Sequence, residues 1–547
     1  MSLPLLHAGR TNPGLSAALD LRFALDKSLT AYRGPTPSFS RASTGSYFDG
    51  SGVLRYAPVN LLNYSEDFTN AYWSIYSVNV SSNQAVAPDG KTTADKLYDD
   101  NTSNEKVIYR NPITVSAPVT QSVYMKAAER SFGCIQLYEG TGALRRFTVV
   151  YNLSNGTIAN TRSVNGGTGT YGIESVGNGW YRCWATWSIN WSNGTAHIAL
   201  SDSANPAAWS ASGFPQYAGN GSSGIFIWGA QLEASSTVGT YVPTTSSANS
   251  APRFDHTFNG TSWVSRGLLV EEQRTNVMTN SQAFGSWSAQ SGCTAVSNNA
   301  AGIDGGTTAS TLNEGSLGTD YKGVYIFATL GSGAQTFSLY AKSVTLRYLA
   351  LHSYSDGSNY CGAIFDLVAG TCTATTALGN WSSVSGSVVD CANGWYRISM
   401  TATNAGSLTP TWAIRPANAG TGFTPTYGAP ATYTGTNRTA SIFGAQAELG
   451  AFPTSYIPAT TATTRSADVC QITGSDFSGF WNGTEGSVAV EFDQIKPLNI
   501  GTVVNFNDGS VNNVMFDYAS EGNSGGIDYG PSFYLSLIHI SEPTRPY

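Results

Sequence analysis

The feature that most constrains this chain is that it repeats itself at domain scale. Asn60-Leu61-Leu62, followed by Ser65 and Phe68, returns as Asn276-Val277-Met278, followed by Ser281 and Phe284. Asp89-Gly90 with Thr92-Thr93-Ala94 and Leu97 returns as Asp304-Gly305 with Thr307-Thr308-Ala309 and Leu312. Ser122-Val123-Tyr124-Met125-Lys126 returns as Ser338-Leu339-Tyr340-Ala341-Lys342. Asn152-Leu153 with Gly156-Thr157 returns as Asp366-Leu367 with Gly370-Thr371. Asn178-Gly179-Trp180-Tyr181-Arg182 returns as Asn393-Gly394-Trp395-Tyr396-Arg397. Gly229-Ala230-Gln231-Leu232-Glu233 returns as Gly444-Ala445-Gln446-Ala447-Glu448, and Tyr241-Val242-Pro243 as Tyr456-Ile457-Pro458. The offset stays between 214 and 216 residues throughout. Blocks in one order at one offset mean tandem duplication of a whole domain, because solenoid repeats are only about 20–50 residues long.

The repeated blocks alternate with period two, as half-buried strands do. Val123 and Met125 face one way, Tyr124 and Lys126 the other; Leu339 and Ala341 oppose Tyr340 and Lys342 in the same manner. Tyr181, Cys183, Ala185 and Trp187 make an apolar face, matched by Tyr396, Ile398, Met400 and Ala402. Turn clusters such as Ser154-Asn155-Gly156 and Val368-Ala369-Gly370 lie between strands. Amphipathic helical periodicity is nearly absent. The expected fold class is all-β, as tandem β-sandwich modules of jelly-roll type with a partial third β domain.

Composition agrees and removes several function classes. Charged residues are 12% and aromatics 12% of the 547 residues, with 59 glycines. Disorder calls for high net charge and few aromatics, so this is a globular composition. A net charge of -7 spread over this length shows no basic patch for nucleic acid and no polybasic segment for an anionic membrane. No run approaches the roughly 18 apolar residues of a membrane-spanning helix, so membrane insertion is not expected. Met1 to Arg10 does not read as a signal peptide. The seven cysteines form no C-x-x-C pair and read mainly as small buried residues, with a weakly supported Cys361–Cys372 hairpin bridge as the other option. The five histidines are isolated, and there is no H-E-x-x-H, G-x-S-x-G or P-loop. Glu271-Glu272 is an adjacent pair whose members point to opposite faces of a strand, a poor arrangement for glycoside hydrolysis.

The expected organisation is an N-terminal β or extended region over 1–59, module one over 60–245, an inter-module segment over 246–275 and module two over 276–460. A truncated lectin-like β domain follows over 461–534. It is introduced by apparent strands at Gly486 to Phe492 and Thr502 to Phe506. The last stretch, 535–547, resembles translated sequencing-adaptor read-through and is expected to lie outside the fold.

Carbohydrate recognition needs flat rings for the apolar faces of pyranoses and hydrogen-bonding groups for hydroxyls. The strand faces opposite the expected core supply both. In module one these are Tyr124, Lys126, Trp180 and Arg182, with Gln231 and Glu233 on the closing strand. In module two they are Tyr340, Lys342, Trp395 and Arg397, with Gln446 and Glu448. A shared scaffold explains the same residues without any ligand, for instance through Arg182 pairing with Glu233. Trp184, Trp187 and Trp228 differ between copies and are candidates for distinct ligand preferences, with core packing the stronger reading for Trp187 and Trp228.

The matched blocks resemble carbohydrate-binding modules of the family-four and family-nine type. The resemblance rests on Asn60-Leu61-Leu62 leading to Phe68 and Trp73, on Asn276 leading to Phe284 and Trp287, on the strands at Tyr124-Met125-Lys126 and Tyr340-Ala341-Lys342, and on the late Gly-Trp-Tyr-Arg strand. It implies a two-sheet jelly roll with a concave glycan-binding face. The Asn-Gly-Trp-Tyr-Arg and Gly-Ala-Gln-x-Glu blocks, Ser455-Tyr456-Ile457-Pro458, and the Phe39 to Thr44 and Gly267 to Asn276 segments are similar to modules of tailed-bacteriophage tail and tail-fibre proteins. The segment after Arg465 resembles the start of a concanavalin-type lectin domain. The carbohydrate-binding family often holds a structural calcium through acidic residues. Here the closing strands carry Gly229-Ala230-Gln231 and Gly444-Ala445-Gln446, and Glu66 is answered by Gln282, which counts against such a site. No catalytic residue, other metal or cofactor is expected. The resemblance implies a non-enzymatic virion or extracellular protein that binds host cell-surface polysaccharide. It would work with other virion proteins and as a homo-oligomer, two weak sites per chain gaining avidity. The other reading is a secreted bacterial adhesin or an accessory module of a glycan-degrading enzyme.

Overall fold

Each module folds as two six-stranded antiparallel sheets. The computed structural model describes residues 17–481, apart from 117, 319 and 407–409. Beyond these it describes the backbone of four strands, Gly486–Val490, Gly501–Phe506, Val514–Tyr518 and Phe533–Leu537. In module one the first sheet runs in the order Thr157–Val164, Arg146–Asn152, Phe132–Tyr138, Trp191–Ser201, Val107–Val115, Ser74–Tyr76. Its second sheet runs Thr170–Gly177, Trp180–Trp187, Val119–Ala127, Gly224–Glu233, Ala94–Asp99, Val78–Ala85. Module two repeats both orders strand for strand. Its first sheet is Thr371–Leu378, Asn359–Asp366, Tyr348–Asp356, Thr411–Ala417, Gly323–Phe327, Ser288–Gln290. Its second is Trp381–Asp390, Trp395–Asn404, Gly333–Ser343, Thr439–Leu449, Ala309–Asn313, Thr294–Ala300. The duplication read from the sequence therefore extends to topology.

The period-two pattern sends one side of every central strand into the sandwich. Val123, Met125, Cys183, Ala185 and Trp187 of the second sheet meet Ile135, Leu137, Val149 and Tyr151 of the first. In module two, Leu339, Ala341, Ile398 and Met400 meet Leu349, Leu351, Ala363 and Phe365. Burying each large apolar side chain stabilises by about 1.5–3 kcal/mol. Two sequence motifs now have local causes. Asn178 and Gly179 both take positive φ (53° and 78°), as do Asn393 and Gly394 (53° and 77°), which gives the tight hairpin whose twist matches its strands. Gly229 (φ 64°) sits in a bulge that shifts the pairing between Trp228 and Gln231. The extra residue switches the alternation, so Ile225 and Ile227 point inward before it and Ala230 and Leu232 after it. A Cβ at Gly229 would lie 2.9 Å from the Tyr124 ring, so no other residue fits there without a shift.

Segments outside the modules are welded by charge. Arg41, Arg253 and Arg465 come from three stretches of chain far apart in sequence, and their side chains are fully buried together. Arg41 donates to Asp468 at 2.5 Å and Arg253 to the other Asp468 oxygen at 2.6 Å. Arg253 also reaches Glu271 at 2.8 Å, and Arg465 approaches it at 3.5 Å. Burial pushes the Glu271 carboxyl up, but Arg253, Arg465 and the hydrogen bonds from Ser455 together hold it below its ordinary value. Its neighbour Glu272 is exposed and pairs with Arg274.

Thr463–Arg465 pairs with Arg274–Asn276, and Val469–Gln471 pairs with Ser38–Ser40, so the chain after the second module returns to the segments before and between the modules. Further on, Gly486–Val490 pairs with Phe533–Leu537 and Gly501–Phe506 with Val514–Tyr518, both antiparallel. Gly486–Val490 and Gly501–Phe506 overlap the two strands expected there, and 491–492 lie outside the described residues. Leu535, Ser536 and Leu537, expected outside the fold, extend a strand, and the rest of 535–547 lies outside the described residues. The Cys361–Cys372 bridge is not made. Cys361 is opposite Ala377 and Cys372 opposite Phe365, and all seven cysteines are free. Among the described residues no helix is long and apolar enough to cross a membrane.

Asp468→Ala leaves two buried guanidinium groups without their shared carboxylate. It is expected to cost about 3–5 kcal/mol, read as a lower thermal midpoint by circular dichroism. The exposed Glu272→Ala change is expected to stay within about 1 kcal/mol.

Candidate functional site

The twelve residues expected on a free aromatic face all lie on the outer side of the second sheets, and that side is covered. Trp180, Arg182, Gln231, Glu233, Tyr340, Trp395, Gln446 and Glu448 are buried; Tyr124, Lys126, Lys342 and Arg397 are half-buried. The structure brings them together, as a weld for the returning chain. Arg182 donates to the Gly239 carbonyl at 2.7 Å and to Ser122 Oγ at 3.1 Å. Arg397 donates to the Thr454 carbonyl and to Ser338 Oγ in the same way. Gln231 donates to Glu233 and accepts from the Val242 amide, while Glu233 accepts from the Gly239 amide. Gln446 and Glu448 repeat this with the Ile457 and Thr454 amides. Trp180 donates to the Val86 carbonyl.

In module two the same face also lies under the hairpin of Ser46–Phe48 and Leu54–Tyr56, whose Leu54, Phe48 and Tyr56 pack on Tyr340, Trp395, Phe443 and Tyr456. The expected open binding face at these residues is thus corrected. Polar groups at a strand end serve the backbone that folds over them, because buried amides and carbonyls must be paired. Of the residues that differ between copies, Trp187 lies in the core and Trp228 packs with Trp180, while Trp184 is half-buried.

A calcium site does not fit here. Glu66 accepts from the Tyr241 hydroxyl at 3.0 Å, its counterpart Gln282 donates to the Tyr56 hydroxyl at 3.1 Å, and the closing strands add no carboxylate at Gly229-Ala230-Gln231. Six to eight oxygen ligands cannot be assembled from that set.

The open site is on the other sheet. On the outer face of the first sheet of module one, strand register lays Tyr109, His197, Gln136 and Thr148 in one row across four strands. Thr195, Tyr138 and Arg146 make the neighbouring row. Tyr76 stands opposite Val107 at the sheet edge and is 48% exposed. These side chains, with Glu105 and Asn111, line a cleft of about 250 Å³ walled on one side by Ser212 and Phe214.

The cleft floor is held rigid from below. Gln136 donates to Thr148 Oγ1 at 2.7 Å and to the Ser212 carbonyl at 2.8 Å, and Thr148 donates to the Gly213 carbonyl at 2.8 Å. That leaves Gln136 Oε1 buried with no hydrogen-bond partner among the described residues. The Arg146 guanidinium sits 4.3 Å from the centre of the Tyr138 ring. The His197 ring packs against Phe214, Tyr109 and Tyr138, with centres 5.1, 5.7 and 6.3 Å away. Burial pushes His197 down to about 3, so it is neutral at physiological pH. With a neutral His197, Glu105 and Arg146 balance, and the cleft offers rings, amides and hydroxyls with no net charge. None of these lining residues was singled out from the sequence. A usable signal was present, because Phe132, Cys134, Gln136 and Tyr138 alternate with the core residues Ile135 and Leu137.

His197 resists protonation only in the folded chain. Stability it contributes is therefore present above the ordinary value of 6.5 and is lost as pH falls below it. His197→Gln is expected to flatten the fall in thermal midpoint on acidification from pH 7 toward pH 4. His352 is lowered by burial too, so part of the slope remains.

No family model and no curated protein matches this chain. Among solved structures, the chain is similar to the N-terminal CBM22-1-CBM22-2 tandem domain from Paenibacillus barcinonensis Xyn10C. The identity is 11% and the TM-score 0.21, over 71% of this chain and 96% of that one. It is also similar to the 11S allergen from Cocos nucifera L., at 9% identity and TM-score 0.09, over 62% of this chain and 88% of that one. At such scores neither overlay carries an argument, and the fold stands on the sheets described above.

Proposed function

We propose that this chain is a non-enzymatic carbohydrate-binding protein whose module one holds a neutral glycan in the cleft on its first sheet. The observation that carries this reading is the cleft itself, with Tyr76, Tyr109 and Tyr138 presented on a β-sheet beside Arg146 and Asn111. Rings pack on the apolar faces of sugars, and the planar guanidinium and amides pair with hydroxyls. The matched charges of Glu105 and Arg146 favour a neutral over an acidic polysaccharide. Glu105 is the one carboxylate among the lining residues, whereas glycoside hydrolysis canonically uses a pair about 5–10 Å apart.

The setting we propose is a virion tail or fibre component that adheres to host-surface glycan. Its support is the sequence resemblance of the Asn-Gly-Trp-Tyr-Arg and Gly-Ala-Gln-x-Glu blocks to tail and tail-fibre modules.

The test is affinity electrophoresis of the full chain in gels containing soluble β-glucan, xylan, galactomannan, dextran or alginate. Retardation by at least one neutral polysaccharide is expected. Tyr138→Ala removes both a ring and the surface on which Arg146 packs, and is expected to weaken binding about tenfold or more, where each tenfold is about 1.4 kcal/mol. Retardation by alginate alone, or none in any gel, counts against the proposal. Loss of cell-surface binding by the same variant would support the adhesion role.

A further inference from the structure

We infer that the two modules carry one glycan cleft between them rather than two, because module two fills its own counterpart with the side chain of Arg415 and the loop that follows it. The inference rests on the glycan reading above and says which copy performs it. Arg415 occupies the strand position of Ala199, since each pairs with the equivalent residue of the neighbouring strand, Ala350 and Cys134. It is 3% exposed, so its side chain fills the space on that face of the sheet.

The guanidinium crosses the edge of the sheet. Its Nη1 donates to Gln290 Oε1 at 2.9 Å and to the Lys322 carbonyl at 3.2 Å. Gln290 stands where module one has Tyr76, and the strand between them carries Gly323 where module one has Val107. A Cβ on Gly323 would lie 2.7 Å from the Ile414 carbonyl oxygen and 3.0 Å from Arg415 Cγ, so the glycine leaves room for the paired strand and for the arginine alike. The space that is open above Val107 is thus taken by a side chain of the protein itself.

The rest of the floor is turned to the same purpose. His352 replaces Gln136, accepts from Arg415 Nε at 3.0 Å on Nδ1, and donates from Nε2 to the Tyr427 carbonyl at 2.7 Å. A carbonyl can only accept, so this pair of bonds sets the tautomer. Tyr360 replaces Arg146 and donates to the Pro425 carbonyl at 3.0 Å. Phe423 closes down on Gly362, where a Cβ would lie 3.0 Å from its ring. The half-buried Arg146 of module one gives way to a tyrosine bonded to the loop in module two, where Arg415 and His352 are also bonded within the fold, so a sugar would have to displace formed hydrogen bonds there.

The test titrates the full chain by calorimetry with short oligosaccharides of the neutral polysaccharide that retards it most. One site per chain is expected. Tyr138→Ala and Tyr109→Ala should each weaken it about tenfold or more, and Tyr325→Ala, the change in module two that matches Tyr109→Ala, should leave it intact. Unchanged circular dichroism spectra confirm that the variants fold, and agreement of the two module-one variants guards against loss of either one to misfolding. Two sites per chain overturns the inference, as does half of the binding surviving Tyr138→Ala and falling with Tyr325→Ala, and in both cases the glycan reading stands. Absence of binding by the unaltered chain overturns the glycan reading, and the inference with it.

Discussion

Asp468 is the residue on which the arrangement of this protein turns. It lies beyond the second module, yet its two oxygens hold Arg41 from before the first module and Arg253 from between the two, and its carboxylate also accepts from the Glu271 amide. Three arginines against Asp468 and Glu271 in a buried site would be costly if any partner were missing, because an uncompensated charge out of water destabilises by several kcal/mol. The hub therefore admits one arrangement of the outlying segments. That arrangement lays the hairpin of Ser46–Phe48 and Leu54–Tyr56 on the second sheet of module two, where Ser46 donates to the Tyr456 carbonyl at 2.7 Å. With the second sheet covered, the first sheets are the broad faces left to meet something.

Duplication kept the scaffold and released the surface. Asn60 bridges the carbonyls of Ala230 and Val242, and Asn276 bridges those of Ala445 and Ile457, with distances of 2.9–3.0 Å in both copies. Arg182 and Arg397, Gln231 and Gln446, Glu233 and Glu448 repeat their bonds in the same manner. Residues retained in both copies are those that close the sandwich. The first sheets diverge instead, with Ala199 against Arg415, Gln136 against His352 and Arg146 against Tyr360. These three changes separate an open cleft from a filled one.

Much of the fold was legible because period-two burial is a local property. Val123 and Met125, or Ile398 and Met400, announce their inward face wherever their strands end up. The turns were legible for the same reason, since Asn178-Gly179 needs no tertiary partner to prefer its conformation. The candidate site was not legible at the residues first chosen. Repetition between modules drew attention to Trp180, Arg182, Gln231 and Glu233, and repetition marks shared scaffold before it marks shared ligand. Tyr76, Tyr109, Tyr138 and Arg146 were passed over because they lie outside the sequence blocks that repeat, although Tyr109 and Tyr138 are answered by Tyr325 and Tyr354 in the second module.

The amino-acid sequence by itself determined that there are two modules, that each is a β-sandwich, and which side of each central strand is apolar. These follow from side-chain alternation and turn chemistry, which act over a few residues. Only the tertiary structure decided which outer face is covered and which is open. That depends on where chain segments hundreds of residues away come to rest, and here they rest where buried arginines share the carboxylates of Asp468 and Glu271.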